Sequence, residues 1–161
     1  MPLPLKALLS RAMSVLEKSQ WLGPLLVRIS LASVFIVTGW GKLHDLGKVT
    51  GFFTELGIPM PGFNAAMVSC VEFGGGILLL LGLFTRFASI PLAISMLVAI
   101  LTARRGDIDG VAALGAFNEF TYFACFIWLL VAGAGAVSLD RVLFGSWVKS
   151  LPGRDMPGGG A

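Results

Sequence analysis

The chain has 161 residues, 56% of them apolar and 13% charged, with 12 basic side chains against 9 acidic for a net charge of +3. A charged fraction about half that of soluble domains, with a mean hydropathy of +0.86, excludes an ordinary soluble globule. The small, scattered positive charge excludes a nucleic-acid partner, and 21 glycines without a G-X-Y period exclude a collagen-like chain.

Over residues 1–20, Leu5, Leu8, Leu9, Ala12, Val15 and Leu16 recur at helical spacing while Lys6, Arg11, Glu17 and Lys18 take other positions. That pattern predicts an amphipathic helix lying on the inner leaflet. It is neither uniformly apolar nor followed by an A-x-A site, so it does not read as a cleavable signal peptide. Four predominantly apolar runs follow, Leu22 to Trp40, Gly62 to Leu83, Phe87 to Ala103 and Phe117 to Val137. About 20 such residues cross a bilayer as a helix, and the runs lack the period-2 alternation of barrel strands. Between the first two runs, Lys48 to Gly57 is expected along the outer surface with Phe52, Phe53 and Leu56 facing inward.

Trp21, Trp40 and Trp147 mark interfaces, and Pro59, Pro61 and Pro91 are expected at or near helix starts. Residues 145–161 lack a packing pattern and read as a disordered tail. The predicted fold is all-α: an integral membrane four-helix bundle over residues 21–144, preceded by the interfacial helix. Lys6, Arg11, Lys18, Arg86, Arg141, Lys149 and Arg154 fall on one side of it, against Lys42, Lys48, Arg104 and Arg105 on the other. The positive-inside rule then places both termini in the cytoplasm.

An ionisable group near the bilayer centre costs roughly 2.5–3.5 kcal/mol on insertion scales, so it needs a partner or a use. Arg28 in the first run and Glu72 in the second lie at matching depths and are predicted to pair, directly or through water. Arg28, Ala32, Phe35, Gly39 and Lys42 share one helical face, which Ser69, Glu72, Gly75 and Gly76 answer. The run Gly74-Gly75-Gly76 is poor in helix propensity and predicts close approach by another helix. A second, outer polar cluster is expected from Lys42, His44, Arg104 and Glu119, with Tyr122 placed to donate to Glu119 from one helical turn away. Structural staples and a polar pocket for a proton, an ion or a quinone head group are equally compatible with these charges.

Cys70 and Cys125 lie apart in apolar runs without a C-x-x-C or a Cys/His cluster, so no disulfide framework or zinc site is signalled. A single histidine cannot supply two axial haem ligands. No cofactor is marked by a motif. A quinone is one ligand that the intramembrane charges admit, beside a proton or an ion.

Several stretches resemble the DoxX family of small four-span bacterial membrane proteins. They are Arg28-Ile-Ser-Leu-Ala-Ser-Val-Phe35 leading into Gly39-Trp-Gly-Lys-Leu43, Gly57-Ile-Pro-Met-Pro61, the segment from Glu72-Phe-Gly-Gly-Gly76 to Gly82-Leu-Phe-Thr-Arg86, and Gly133-Ala-Gly-Ala-Val-Ser-Leu-Asp140. The resemblance runs from about Pro24 to Leu143. It implies a four-helix bundle in the bacterial cytoplasmic membrane, with relatives that include a subunit associated with thiosulfate:quinone oxidoreductase and proteins linked to thiol and oxidative-stress responses. Arg28, Lys42, Glu72, Arg86, Ser138 and Asp140 match the family's recurring polar positions, to which the family assigns no proven catalytic roles.

The sequence therefore predicts a membrane subunit with a polar pocket that supports a quinone-linked or thiol/sulfur redox system. It would act with the bilayer, with a redox partner subunit, and in a homo-oligomer that the small-residue runs permit. No independent catalytic motif, flavin or nicotinamide fingerprint, or dithiol is present. The alternative is a non-enzymatic anchor, assembly factor or small-solute carrier.

Overall fold

The computed structural model describes residues 3–107 and 110–143. The tail over 145–161, with Trp147, Lys149 and Arg154, lies outside the described residues. Among the described residues the helices are, in chain order, α1 Leu3–Lys18, α2 Leu22–His44, α3 Leu46–Glu55, α4 Pro61–Leu81, α5 Thr85–Thr102, α6 Val111–Ala116 and α7 Asn118–Ala132, with a short 3-10 turn at Arg105–Asp107. No strand occurs among the described residues. Helices α2, α4 and α5 are long and apolar enough to cross a membrane, and α7 is a shorter apolar helix.

α2, α4, α5 and α7 form the bundle and alternate in direction, with a tight turn joining α4 to α5 and segments containing α3 and α6 making the other two connections. α2 packs chiefly on α4 and α5 chiefly on α7; the two pairs touch each other less. Their common core is Leu31, Ala32 and Phe35 of α2, Leu79 of α4, Leu92, Ala93 and Met96 of α5, and Phe126 and Leu129 of α7. Phe35 meets Phe126 edge-on at 5.0 Å and Tyr122 at 5.5 Å. These rings close the seam between α2 and α7. Outward faces remain apolar, with Leu26, Val37, Phe87, Leu101 and Val131 exposed, as suits helices whose solvent is lipid.

In lipid the apolar faces gain little from leaving the solvent, so close backbone packing has to hold the helices together. A Cβ added to Gly39 would strike the Phe73 backbone, and one on Gly76 would come within 2.9 Å of the Ile36 nitrogen. One on Gly75 would press on Leu92 at 2.9 Å. The expected close approach therefore belongs to Gly75 and Gly76, whereas Gly74 has open space. Buried Ser69 and Ser89 satisfy their hydroxyls on the carbonyls one turn back, Ala65 and Thr85.

Two sequence expectations need correction. Pro91 sits inside α5 and does not start it, while Pro61 does occupy the first turn of α4. The fourth apolar run is helical only to Ala132; Gly133 leaves the helix at φ +81, and residues 133–138 are irregular before a helical turn over 139–143. Fifteen helical residues span only about 22 Å at 1.5 Å each, short of a ~30 Å hydrocarbon core. Non-helical backbone at such depth is tolerated only where protein satisfies it.

Candidate functional site

The polar residues divide between the two ends of the bundle. At the end where α2 starts, Arg28 donates to carbonyls at the end of α4 and beyond α7, of which Leu79 also accepts from the Gly82 amide. Its Nε donates to the Leu79 carbonyl at 2.8 Å, Nη2 to Leu80 at 3.1 Å, and Nη1 to both Ala134 and Val137 at 2.7 Å. The first two are terminal carbonyls of α4, and the others belong to the irregular stretch after α7. Gly82 adopts φ +66 directly against the guanidinium, where a Cβ would collide with it. Asp140 returns its carboxylate to the Phe84 and Thr85 amides at 2.7 and 3.3 Å, capping α5, while its own amide donates to the Gly82 carbonyl. Arg86 donates to the Val131 carbonyl at 3.1 Å. The resulting clamp fastens the end of α4, the start of α5 and the end of α7 to α2.

The predicted Arg28–Glu72 pair is not formed. Glu72 lies seven residues before Leu79 on α4, about 10 Å along the axis. Its Oε1 instead accepts from Lys42 Nζ at 2.6 Å, and its Oε2 from Thr38 at 3.4 Å. Glu72 is 3% exposed and Lys42 35%. The first apolar run ends at Trp40, but the helix continues to His44, and this extra turn keeps Lys42 on the face shared by Phe35 and Gly39.

Towards the end where α2 finishes, Arg104 reaches Glu119 Oε1 with Nε at 3.3 Å and Nη2 at 3.2 Å, and lies over the Phe117 ring. The other carboxylate oxygen, Oε2, is buried without a hydrogen-bond partner among the described residues. No hydrogen bond joins Tyr122 to Glu119; the tyrosine ring packs on Phe35. His44 also stands apart, its ring tilted against Trp40 at 4.1 Å with Nδ1 2.9 Å from the Trp40 carbonyl oxygen.

Both carboxylates open onto one cavity of about 880 Å³ between the helix pairs. Thr38, Lys42, Glu72, Arg104, Glu119 and Tyr122 are among the polar residues of its wall, and Phe52 and Phe53 of α3, with Leu56 just after it, line it from the side expected to face inward. The rest is mainly apolar, including Phe35, Val68 and Met96. Thus the structure gathers Lys42, Glu72, Arg104, Glu119 and Tyr122, and leaves out Arg28 and His44. Thr38, four residues before Lys42 on the same face, is the partner of Glu72 that the sequence did not reveal, and Asn64, Ser95, Thr102 and Asn118 also line the cavity without having been expected there. For Thr38, its position relative to Lys42 was the available signal.

Residues 23–105 match the family model described as DoxX. The chain belongs to the DoxX family. The inner membrane protein YqjF of Escherichia coli is similar at 31% identity over 82% of this DoxX chain and 100% of its own length. Inner membrane protein YphA of the same organism is 29% identical, covering 73% and 87%. A Bacillus subtilis protein named "Putative oxidoreductase CatD" is 30% identical, covering 80% and 92%. No solved structure gives a significant match. This DoxX chain is a multi-pass membrane protein by its family and by its apolar helices.

Proposed function

We propose that this chain is a bacterial cytoplasmic-membrane subunit that seats the ring of a lipid-soluble quinone and serves a thiol- or sulfur-oxidising partner. The observation that carries this reading is an apolar cavity with a cation-paired carboxylate in each of two walls. Its volume of about 880 Å³ falls within the roughly 300–1,000 Å³ of small-molecule sites, which combine apolar walls with a few convergent polar groups. The name of the Bacillus subtilis relative agrees with a redox setting. With both termini in the cytoplasm, the cavity lies in the outer half of the membrane.

Quinone reduction to the quinol consumes two electrons and two protons. Oxidation of two partner thiols to a disulfide, or of a reduced-sulfur substrate, supplies the electrons from outside this chain. Lys42 is a donor for one ring oxygen, and Glu72 beside it can return a proton to the amine. Glu119, with an unpartnered buried oxygen, relays protons from the surface near Arg104 to the ring oxygen on the opposite side and accepts a hydrogen bond from the quinol hydroxyl once it forms.

The test is ubiquinone and menaquinone content of protein purified in native lipid. Wild type is expected to retain quinone and Glu72→Gln to retain little. No quinone in either would overturn the reading and favour a non-enzymatic anchor, assembly factor or small-solute carrier. That alternative also expects Lys42→Met/Glu72→Leu to complement a deletion fully.

A further inference from the structure

We infer that the cavity receives its ligand from the lipid phase through a slot between α4 and α5, in which the ligand's apolar chain remains while the polar ring sits at Lys42 and Glu119. This rests on the quinone reading and adds the route and the part of the ligand recognised there.

The two flanks are filled differently. On one, α2 and α7 touch less than α4 and α5 do, but Phe35 meets Tyr122 and Phe126 edge-on and fills the seam with rings. On the other, α4 and α5 are joined by a short turn, and Leu92 lies close against Gly75. Beyond that contact the flank presents Met67 and Val68 on α4 towards Ile94 and Val98 on α5, all cavity-lining.

Every large apolar residue that both lines the cavity and is exposed belongs to α3, α4 or α5: Phe52, Met67, Ile94 and Val98. None belongs to α2 or α7. Ile94 and Val98 stand one turn apart on the same face of α5, and neighbouring Phe63 and Leu101 are exposed and apolar as well. A slot edged by such side chains offers water nothing to bond and offers a hydrocarbon chain a continuous surface. Phe52 and Phe53 of α3, with Leu56 just after it, line the cavity beside its charged residues, whereas Met67, Ile94 and Val98 line it on the apolar α4–α5 side. The occupant with matching chemistry is an amphiphile with a carbonyl- or hydroxyl-bearing ring and a long apolar tail.

The experiment uses the full chain in lipid nanodiscs and a quinone with a photoreactive group on its tail. Labelled peptides are mapped by mass spectrometry, with and without an excess of a short-tailed quinone. Competed labelling at Phe63–Met67 and Ile94–Val98, lost in Met67→Trp/Ile94→Trp, is the expected result. Competed labelling on α2 or α7, or labelling unchanged in that double variant, would overturn the slot while leaving the quinone site standing. No competed labelling anywhere would overturn both.

Discussion

Lys42 Nζ stands 2.6 Å from Glu72 Oε1, joining α2 to α4 through a carboxylate that is 3% exposed. The pair lies beside a cavity, and Thr38 holds the other carboxylate oxygen. A buried carboxylate is costly unless its charge is matched, so the lysine serves both the bundle and the site. Lys42→Met is expected to destabilise the protein by about 2 kcal/mol through loss of a charged hydrogen bond. Lys42→Met/Glu72→Leu should recover most of that loss, since an apolar pair can replace a buried ion pair. Unfolding in mixed micelles checks this, and a double variant less stable than Lys42→Met would contradict it.

Arg28 should behave differently, because its partners are backbone. Arg28→Met removes the guanidinium donor of the Leu80, Ala134 and Val137 carbonyls and leaves Leu79 with the Gly82 amide alone, at a cost of about 3 kcal/mol or more. Arg28→Lys should recover only part, because an ammonium lacks the planar fork that reaches both segments. Unfolding midpoints and the membrane yield of folded protein measure the effect. In the fraction that folds, quinone content should match wild type.

Glycine substitutions provide a graded test of packing. Gly82→Ala forces a side chain into φ +66 against Arg28, with a cost of about 1–3 kcal/mol. Gly39→Ala should be at least as harmful, since its Cβ meets Phe73 backbone that cannot swing aside. Gly74→Ala faces open space and should stabilise by up to about 1 kcal/mol through helix propensity. Thermal unfolding of the three variants gives the order.

Asp140→Ala removes the acceptor for the Phe84 and Thr85 amides. The expected loss is about 1 kcal/mol, the usual contribution of a helix N-cap. Asp140→Asn should retain most of the stability. Amide hydrogen exchange at Phe84 and Thr85 is the local readout, with faster exchange in the alanine variant and little change in the asparagine variant.

Apolar run length and helical spacing made much of this architecture legible. They identify four apolar helices, of which the structure shows the fourth to be the shortest, and they place Arg28, Ala32, Phe35 and Gly39 on the buried face of α2 with Ser69, Glu72, Gly75 and Gly76 on that of α4. The break at Gly133 was hidden because Ala134, Ala136 and Val137 continue the apolar composition of α7. Composition records solubility in lipid, not whether the backbone stays helical.

Charge partners required the folded chain. Matching depth favoured Arg28 with Glu72, but depth does not report which carbonyls lack donors at the end of α4 or after Gly133. The long guanidinium turns to those groups, and the extra turn of α2 lets Lys42 reach Glu72 instead. The sequence by itself determined a membrane-embedded helical protein and which faces of its first two spans look inward, because hydropathy and periodicity are local properties. Only the tertiary structure decided which charge meets which acceptor and that two carboxylates share one cavity, because those outcomes depend on where helix ends, side-chain stems and gaps between helix pairs fall in three dimensions.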